Sequence, residues 1–279
     1  MKAAITMAML LLCGILTAQN TLPPEGELPS RFELLKIDGR NSVNSVLHAY
    51  SGPARWKKND WLVAGGIALG TYGLFLIDED VNPHFTKRND KVPELIQDVG
   101  FYFGKPQYHY GLTAAVYGLG LITRNEKIRE TGVLLIASAT TAGLIQTVSK
   151  TAVGRARPST GVGNSEFDFF NSTPDYHSFP SGHAILAFTT AHALAKQSRN
   201  PWVKAGIYTL GSITPISRLW TNAHWLSDIG LSLAISIVSV DSVYNFLKRT
   251  NDYGQNGKRE GISWRVQAGF GSVGLVGRF

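Results

Sequence analysis

TGVLLIASATTAGLIQTVSKTAVGRARP, residues 131–158, holds nineteen uncharged positions before Lys150 and then a basic tail ending at Arg157-Pro158. Leu, Ala, Ile, Gly, Ser and Thr dominate the run, and no polar stripe divides it. A helix apolar on every side is buried in protein or in lipid. Five further stretches share this character, at about 61–77, 107–123, 182–195, 202–217 and 225–247. Asp60 can cap the first, and Asn200-Pro201 supplies a cap and first turn for the run at 202. Charge clusters and turn residues separate them. The expectation is an all-α bundle of about six apolar helices.

Beyond the runs, Lys2, Ala3 to Leu16 and Thr17-Ala18 have the three-part form of an export signal, residues 1–18. Its apolar part falls short of the roughly 20 residues of a membrane span. Cys13, the chain's single cysteine, lies inside it, so neither a disulfide nor a Cys-built zinc site is expected of the mature chain. Residues 19–58 form a polar, proline-punctuated segment with a basic cluster at Arg55, Lys57 and Lys58. The helical domain is expected over 59–250. A polar linker and an alternating pattern (Ile262, Trp264, Val266, Ala268, Phe270, then Val273 to Phe279) predict a short C-terminal β-hairpin within 251–279. Charged residues make up 17% of the chain, below the usual roughly 25%. The net charge of +7 suits an anionic membrane surface or a phosphorylated substrate. Nothing resembles a nucleic-acid module, and the basic residues are scattered between apolar runs.

Three segments carry chemistry. Lys150 and Arg157 bracket the end of the third run, and Pro158 turns Arg157 out of the helix. A point charge with a forked guanidinium suits a tetrahedral oxyanion. Next, Pro180-Ser181-Gly182-His183 opens the fourth run. Ser181 is placed as an N-cap, Gly182 admits an anion to the free N–H groups of the first turn, and His183 stands beside it. Last comes Ser217-Arg218, followed by His224 and Asp228. At a spacing of four, a carboxylate bonded to one ring N–H fixes the tautomer and leaves the other nitrogen's lone pair free to attack phosphorus.

The ordered set KxxxxxxRP, PSGH and SRxxxxxHxxxD resembles the type-2 phosphatidic acid phosphatase (PAP2) superfamily, which also holds class A acid phosphatases and vanadium haloperoxidases. The resemblance spans about residues 130–245. It implies a helical bundle with these loops meeting at one end. Lys150, Arg157 and Arg218 are then phosphate-binding cations, and Ser181 and Gly182 supply further hydrogen bonds. His183 is the general acid, His224 the nucleophile and Asp228 its orienting partner. The implied function is metal-independent hydrolysis of a phosphate monoester or pyrophosphate, of a lipid, through a phosphohistidine, with no cofactor. A soluble periplasmic acid phosphatase and a vanadium-dependent haloperoxidase are the alternatives.

Other histidines read as structural. His192 lies about 180° round the helix from His183, and His48, His84 and His109 have no motif around them. His177, in the long loop 158–179, is a candidate for substrate contact, and Trp220 and Trp225 for packing. If the runs cross a bilayer, Arg124, Lys127, Arg129, Lys196, Arg199, Lys204, Lys248 and Arg249 lie opposite the motifs. The positive-inside rule then faces the site to the periplasm. A cleaved signal followed by six spans would instead face it inward, so the leader and the span count conflict.

Overall fold

The structure is a computed structural model. It describes residues 29–250 and the backbone of 263–269 and 272–278. The expected signal at 1–18, Cys13 and the linker at 251–260 lie outside the described residues. Nine α-helices occur among the described residues rather than six: α1 Arg31–Tyr50, α2 Lys58–Leu76, α3 Asp78–Thr86, α4 Glu94–Tyr102, α5 Pro106–Thr123, α6 Glu126–Val153, α7 Gly182–Gln197, α8 Pro201–Trp220 and α9 Leu226–Thr250. Each apolar run lies on a helix (α2 and α5–α9), while α1, α3 and α4 come from stretches without one. Strands β1 (Ser263–Gly269) and β2 (Ser272–Arg278) pair antiparallel, Ser263 opposite Arg278.

The helix starts follow local chemistry. Ser30 and Glu33 form a reciprocal capping box on α1. Asn125 accepts from the Ile128 N–H at the start of α6, and Asn200 from Trp202 at the start of α8. The centre of the bundle is α6, which packs on α1, α5, α7 and α9. Val133, Leu134, Leu135 and Ala137 of α6 meet Ala193 of α7 and Val240, Val243 and Leu247 of α9. Small residues bring α7 and α8 close: a Cβ on Gly211 would stand 2.3 Å from that of Ala191.

The segment read as a polar lead-in supplies α1, which begins the bundle at residue 31 and is inverted. Its buried positions are Leu34, Asp38, Asn41 and Ser45, whereas Phe32, Leu35, Val43 and Leu47 face outward. Asp38 accepts both Nε (2.8 Å) and Nη2 (3.0 Å) of Arg129, and the Tyr117 hydroxyl at 2.9 Å. Arg31 reaches the Ile122 carbonyl, so α1 starts at the α5–α6 end of the bundle. Two described helices, α6 and α9, are long and apolar enough to cross a membrane; α2 with the segment after it makes a third only as a pair bent by 66°.

At the other end of α6, Gly154 stops the helix in a left-handed conformation (φ +56°), its N–H closing on the Lys150 carbonyl. The chain returns along this exit: Asp168 N–H bonds the Gly154 carbonyl, Ala156 N–H bonds Glu166, and Ser178 N–H bonds Arg155. The long loop is thereby laid against residues 154–157. A Cβ on Gly154 would stand 1.6 Å from the Asp168 carbonyl oxygen, while Gly161 (φ +75°) has nothing within 4 Å. Gly161→Ala should therefore cost only the left-handed backbone strain, about 1 kcal/mol. Gly154→Ala adds a backbone collision and should exceed about 2 kcal/mol. Thermal unfolding of both variants measures the difference, and equal losses would contradict the packing.

Candidate active site

The exits of α6 and α8 and the entries of α7 and α9 meet at one end of the bundle. Beneath them lies Arg155, 1% exposed, its guanidinium fully engaged. Nη1 donates to Asp228 Oδ1 (2.7 Å) and Ser227 Oγ (2.7 Å), Nη2 to Asp78 Oδ2 (2.8 Å) and Nε to the Asn164 carbonyl. Asp78 also accepts the Ser227 N–H and hydroxyl. Phe75 and Trp225 rings flank the guanidinium at 4.9 and 5.5 Å. One cation thus ties α3, the α6 exit, the long loop and α9 together. Buried charge persists only when paired in this way.

His224 is also buried. Its Nδ1 lies 2.7 Å from the Ser178 carbonyl, which accepts the ring proton and leaves the lone pair on Nε2. Nε2 lies 3.3 Å from Arg157 Nη1. Asp228 Oδ2 stands 3.6 Å from Nδ1, a direct i,i+4 contact longer than an ordinary hydrogen bond. The two residues do not share a helix, because α9 starts at Leu226 and His224 precedes it. Asp228 also reaches back to the Trp225 N–H (2.8 Å), as an acidic residue in a first turn does, and accepts the Ser178 hydroxyl. It thus adjoins His224 both directly and through Ser178, whose carbonyl holds the imidazole.

His183 opens α7 beside this ring. Burial pushes its pKa down to about 4, reinforced by the positive charges of Arg218, His224, Lys150 and Arg157. His224 is likewise lowered to about 4, mainly by burial, with Asp228 opposing. Arg157 thus meets His224 directly, and Arg218 and His183 share the Phe101 ring. His183 Nε2 is buried and has no hydrogen-bond partner among the described residues. Arg157 is anchored by the carbonyls of Pro174, Ala223 and His177. Arg218 gives only Nε, to Ser217 Oγ. Its Nη groups and the Lys150 ammonium donate to no described side chain or carbonyl. Ser181 is the N-cap of α7, as its position suggests: its hydroxyl accepts from the Ala184 N–H, and its own N–H bonds Ser232 Oγ (2.8 Å). The anion donors left at this turn are the N–H groups of Gly182 and His183.

A wall not legible in the sequence closes the site. Gly100 of α4 packs on Ser217, and Gly104 on Thr214 and His183; a Cβ on either would stand under 3 Å from those side chains. Phe101 stacks on His183 (5.9 Å between centroids, 19°) with the Arg218 guanidinium 5.4 Å from its ring. The remaining histidines lie elsewhere. His192 joins Tyr208 and Asp241, His109 bonds Thr190, and His84 faces the Asp80 carbonyl. The His177 ring bonds the Asn171 carbonyl, so its main chain rather than its side chain serves the site. Trp225 packs on Arg155 and donates to the Ala156 carbonyl.

The model of the PAP2 superfamily matches residues 131–252. That segment resembles the PAP2 superfamily. It runs from α6 through α9 and contains Lys150, Arg157, His183, Arg218, His224 and Asp228. Across 92 residues, 31% of this chain, the sequence is 37% identical to the lipid A 1-phosphatase of Porphyromonas gingivalis. The match spans about a fifth (21%) of that relative's length. A crystal structure of Aquifex aeolicus LpxE is similar with a TM-score of 0.44 and 20% identity, over 58% of this chain and 93% of that one. The PAP2 segment also contains Arg155, Ser178 and Ser227, at positions where the three motifs are variable or silent. Asp78 and the Phe101 wall lie outside it.

Arg155→Met should strand two buried carboxylates and cost about 3–5 kcal/mol. Arg155→Lys keeps the charge but loses the fork and should fall between Met and the parent chain. Unfolding midpoints in detergent test the order; a Met variant as stable as the parent would refute the hub.

Proposed function

We propose that this chain is a phosphatase that hydrolyses a phosphate monoester or pyrophosphate, carried on a lipid, through a phosphohistidine on His224. The observation that carries this reading is the pairing of a tautomer-fixed His224, its Nε2 lone pair facing Arg157, with a second, half-buried imidazole, His183, whose inaccessible Nε2 lacks a partner among the described residues. A phosphorus between them meets a nucleophile on one side and an acid on the other. Lys150, Arg157 and Arg218, with the Gly182 and His183 N–H groups, match the charge that spreads over the equatorial oxygens.

Nε2 of His224 forms a bond to phosphorus as the bond to the leaving oxygen breaks, and His183 gives that oxygen its proton. Water then attacks the phosphohistidine, His183 takes a proton from it, and the P–N bond returns its electron pair to Nε2. Asp228 acts throughout as a positioning residue. The cations and N–H donors supply the stabilisation that a metal would otherwise provide, so chelation should leave the rate unchanged.

A lipid substrate accords with α6 and α9, with the outward apolar face of α1, and with the lipid A 1-phosphatase name of the relative. The basic residues Arg31, Arg124, Lys127, Arg199, Lys248 and Arg249 cluster at the end opposite the site. The positive-inside rule therefore favours a periplasmic active site. Because α1 starts at that basic end, residue 31 belongs on the cytoplasmic side, which favours an uncleaved leader over a removed one.

Purified protein should release phosphate from a phosphatidate or prenyl diphosphate equally well with and without EDTA. His224→Ala should lose at least about 10³-fold in kcat, and acid quenching with a labelled substrate should trap phosphate on the parent chain alone. Turnover by His224→Ala at the parent rate would sink the mechanism.

The pH profile follows from the two imidazoles. His224 must be neutral, so activity is gained as pH rises through about 4. His183 must carry a proton, so activity is lost as pH rises through its pKa, about 4 without substrate. A bound phosphoryl anion raises that pKa. The alkaline limb of kcat should therefore lie at higher pH than that of kcat/KM, and His183→Asn should abolish it. Superimposed limbs would contradict the assignment.

A further inference from the structure

His224 stands in the turn that joins α8 to α9, and so does Ala223, whose carbonyl pins Arg157. The turn hangs from the end of α8. The Arg218 carbonyl takes the N–H groups of Ala223 (3.0 Å) and His224 (3.3 Å), and the Leu219 carbonyl takes that of Asn222. Between them the chain makes a left-handed step at Asn222 (φ +55°), a conformation that asparagine tolerates better than most residues. A side-chain bond from outside the turn holds this step in place: Asn82 Nδ2 donates to Asn222 Oδ1 at 2.8 Å.

Asn82 lies on α3, one helical turn after Asp78, so the two share a face. Asp78 holds the other end of the same turn, where it accepts the N–H and the hydroxyl of Ser227. Helix α3 thus grips the chain two residues before His224 and three residues after it. Phe85, from the next turn of α3, packs on Leu219 and Ile229. A small gap lined by Asn82, Phe85, Leu219 and His224 remains between α3 and the turn, so packing alone does not fix the ring. We propose that Asn82 is a positioning residue for the phosphoryl transfer, acting through Asn222 to set where His224 Nε2 meets phosphorus. A nucleophile contributes to the transition state more than to bound substrate, so a displaced ring lowers kcat before it weakens binding. Lys150 on α6, Arg218 on α8 and the N–H groups that open α7 stand on other elements.

The inference rests on the phosphatase reading for its kinetic part alone, because the state of the His224 ring is measured without turnover. Full-length Asn82→Ala, Asn222→Gly, the double variant and Asn222→Asp are compared with the parent chain. Glycine keeps the left-handed step and removes the acceptor, whereas aspartate keeps an acceptor. Asn82→Ala and Asn222→Gly should each lower kcat for a prenyl diphosphate about tenfold. Affinity for inorganic phosphate should change less than about threefold, which also shows that the variants are folded. The double variant should fall no further than either single one, and Asn222→Asp should recover most of the loss. Imidazole 15N signals of labelled protein in detergent report the ring, the His224 signal being the one lost in His224→Ala. The parent chain should show a single tautomer with the proton on Nδ1, and Asn82→Ala a mixture. Asn82→Ala at the parent kcat, additive losses in the double variant, phosphate affinity falling as far as kcat, or an unchanged His224 signal would each overturn the assignment. A parent chain that turns over no phosphate ester, yet loses its single tautomer in Asn82→Ala, would reject the phosphatase reading and uphold Asn82.

Discussion

The guanidinium of Arg155 is the point on which the catalytic end is assembled. Two buried carboxylates, Asp78 and Asp228, face it from different helices, and neither could stay charged there alone. Satisfying both fixes the first turn of α9 against the exit of α6, and with it the place where His224 leaves the chain. Ser227, Ser178 and the Trp225 N–H complete the acceptor sites of the carboxylates. The network is buried and hydrogen-bonded throughout. It therefore sets a geometry rather than responding to substrate, which suits a cage whose task is to hold charges in place.

Around this fixed centre the mobile charges are few. Arg157 is pinned by three main-chain carbonyls, two from the long loop (Pro174 and His177) and one from the His224 turn (Ala223), so the loop's path determines the direction of the guanidinium. Gly154 makes that path possible by turning the α6 exit into a left-handed step against Asp168. Arg218 and Lys150, by contrast, keep donors directed at no described residue. The division suits the mechanism proposed above: one cation shares a hydrogen-bond frame with His224, and two keep donors for the oxygens of a substrate.

The sequence made the bundle legible wherever apolar runs were long, and the motifs were legible wherever a charge interrupted them. What it concealed has identifiable causes. The α1 helix buries Asp38, Asn41 and Ser45 and exposes Phe32, Val43 and Leu47, the reverse of the pattern by which a water-soluble helix is recognised. Arg155 sits two residues from Arg157 in a basic stretch, where nothing local separates a buried ion-pair centre from a solvated charge. Gly100, Phe101 and Gly104 become functional only because α4 folds onto α8 and α7, a contact between residues about 80 to 115 positions apart. The four-residue spacing brings Asp228 to 3.6 Å from His224, but a helix boundary between them lets the Ser178 carbonyl take the shorter bond to the ring.

That carbonyl bond alters how the nucleophile should be understood. A carboxylate bonded directly to the ring would strengthen as an imidazolium-like charge grew on phosphorylation, pulling the Nδ1 proton toward itself. A peptide carbonyl cannot take that proton, so the tautomer of His224 is secured more firmly, and a charge developing on the ring meets the carbonyl dipole and the Asp228 carboxylate 3.6 Å from Nδ1. On the mechanism proposed above, the P–N bond of a phosphohistidine would carry more positive character at the ring, which would favour its departure from phosphorus when water attacks. The geometry at Ser178 would then serve the second half of that cycle as well as the first.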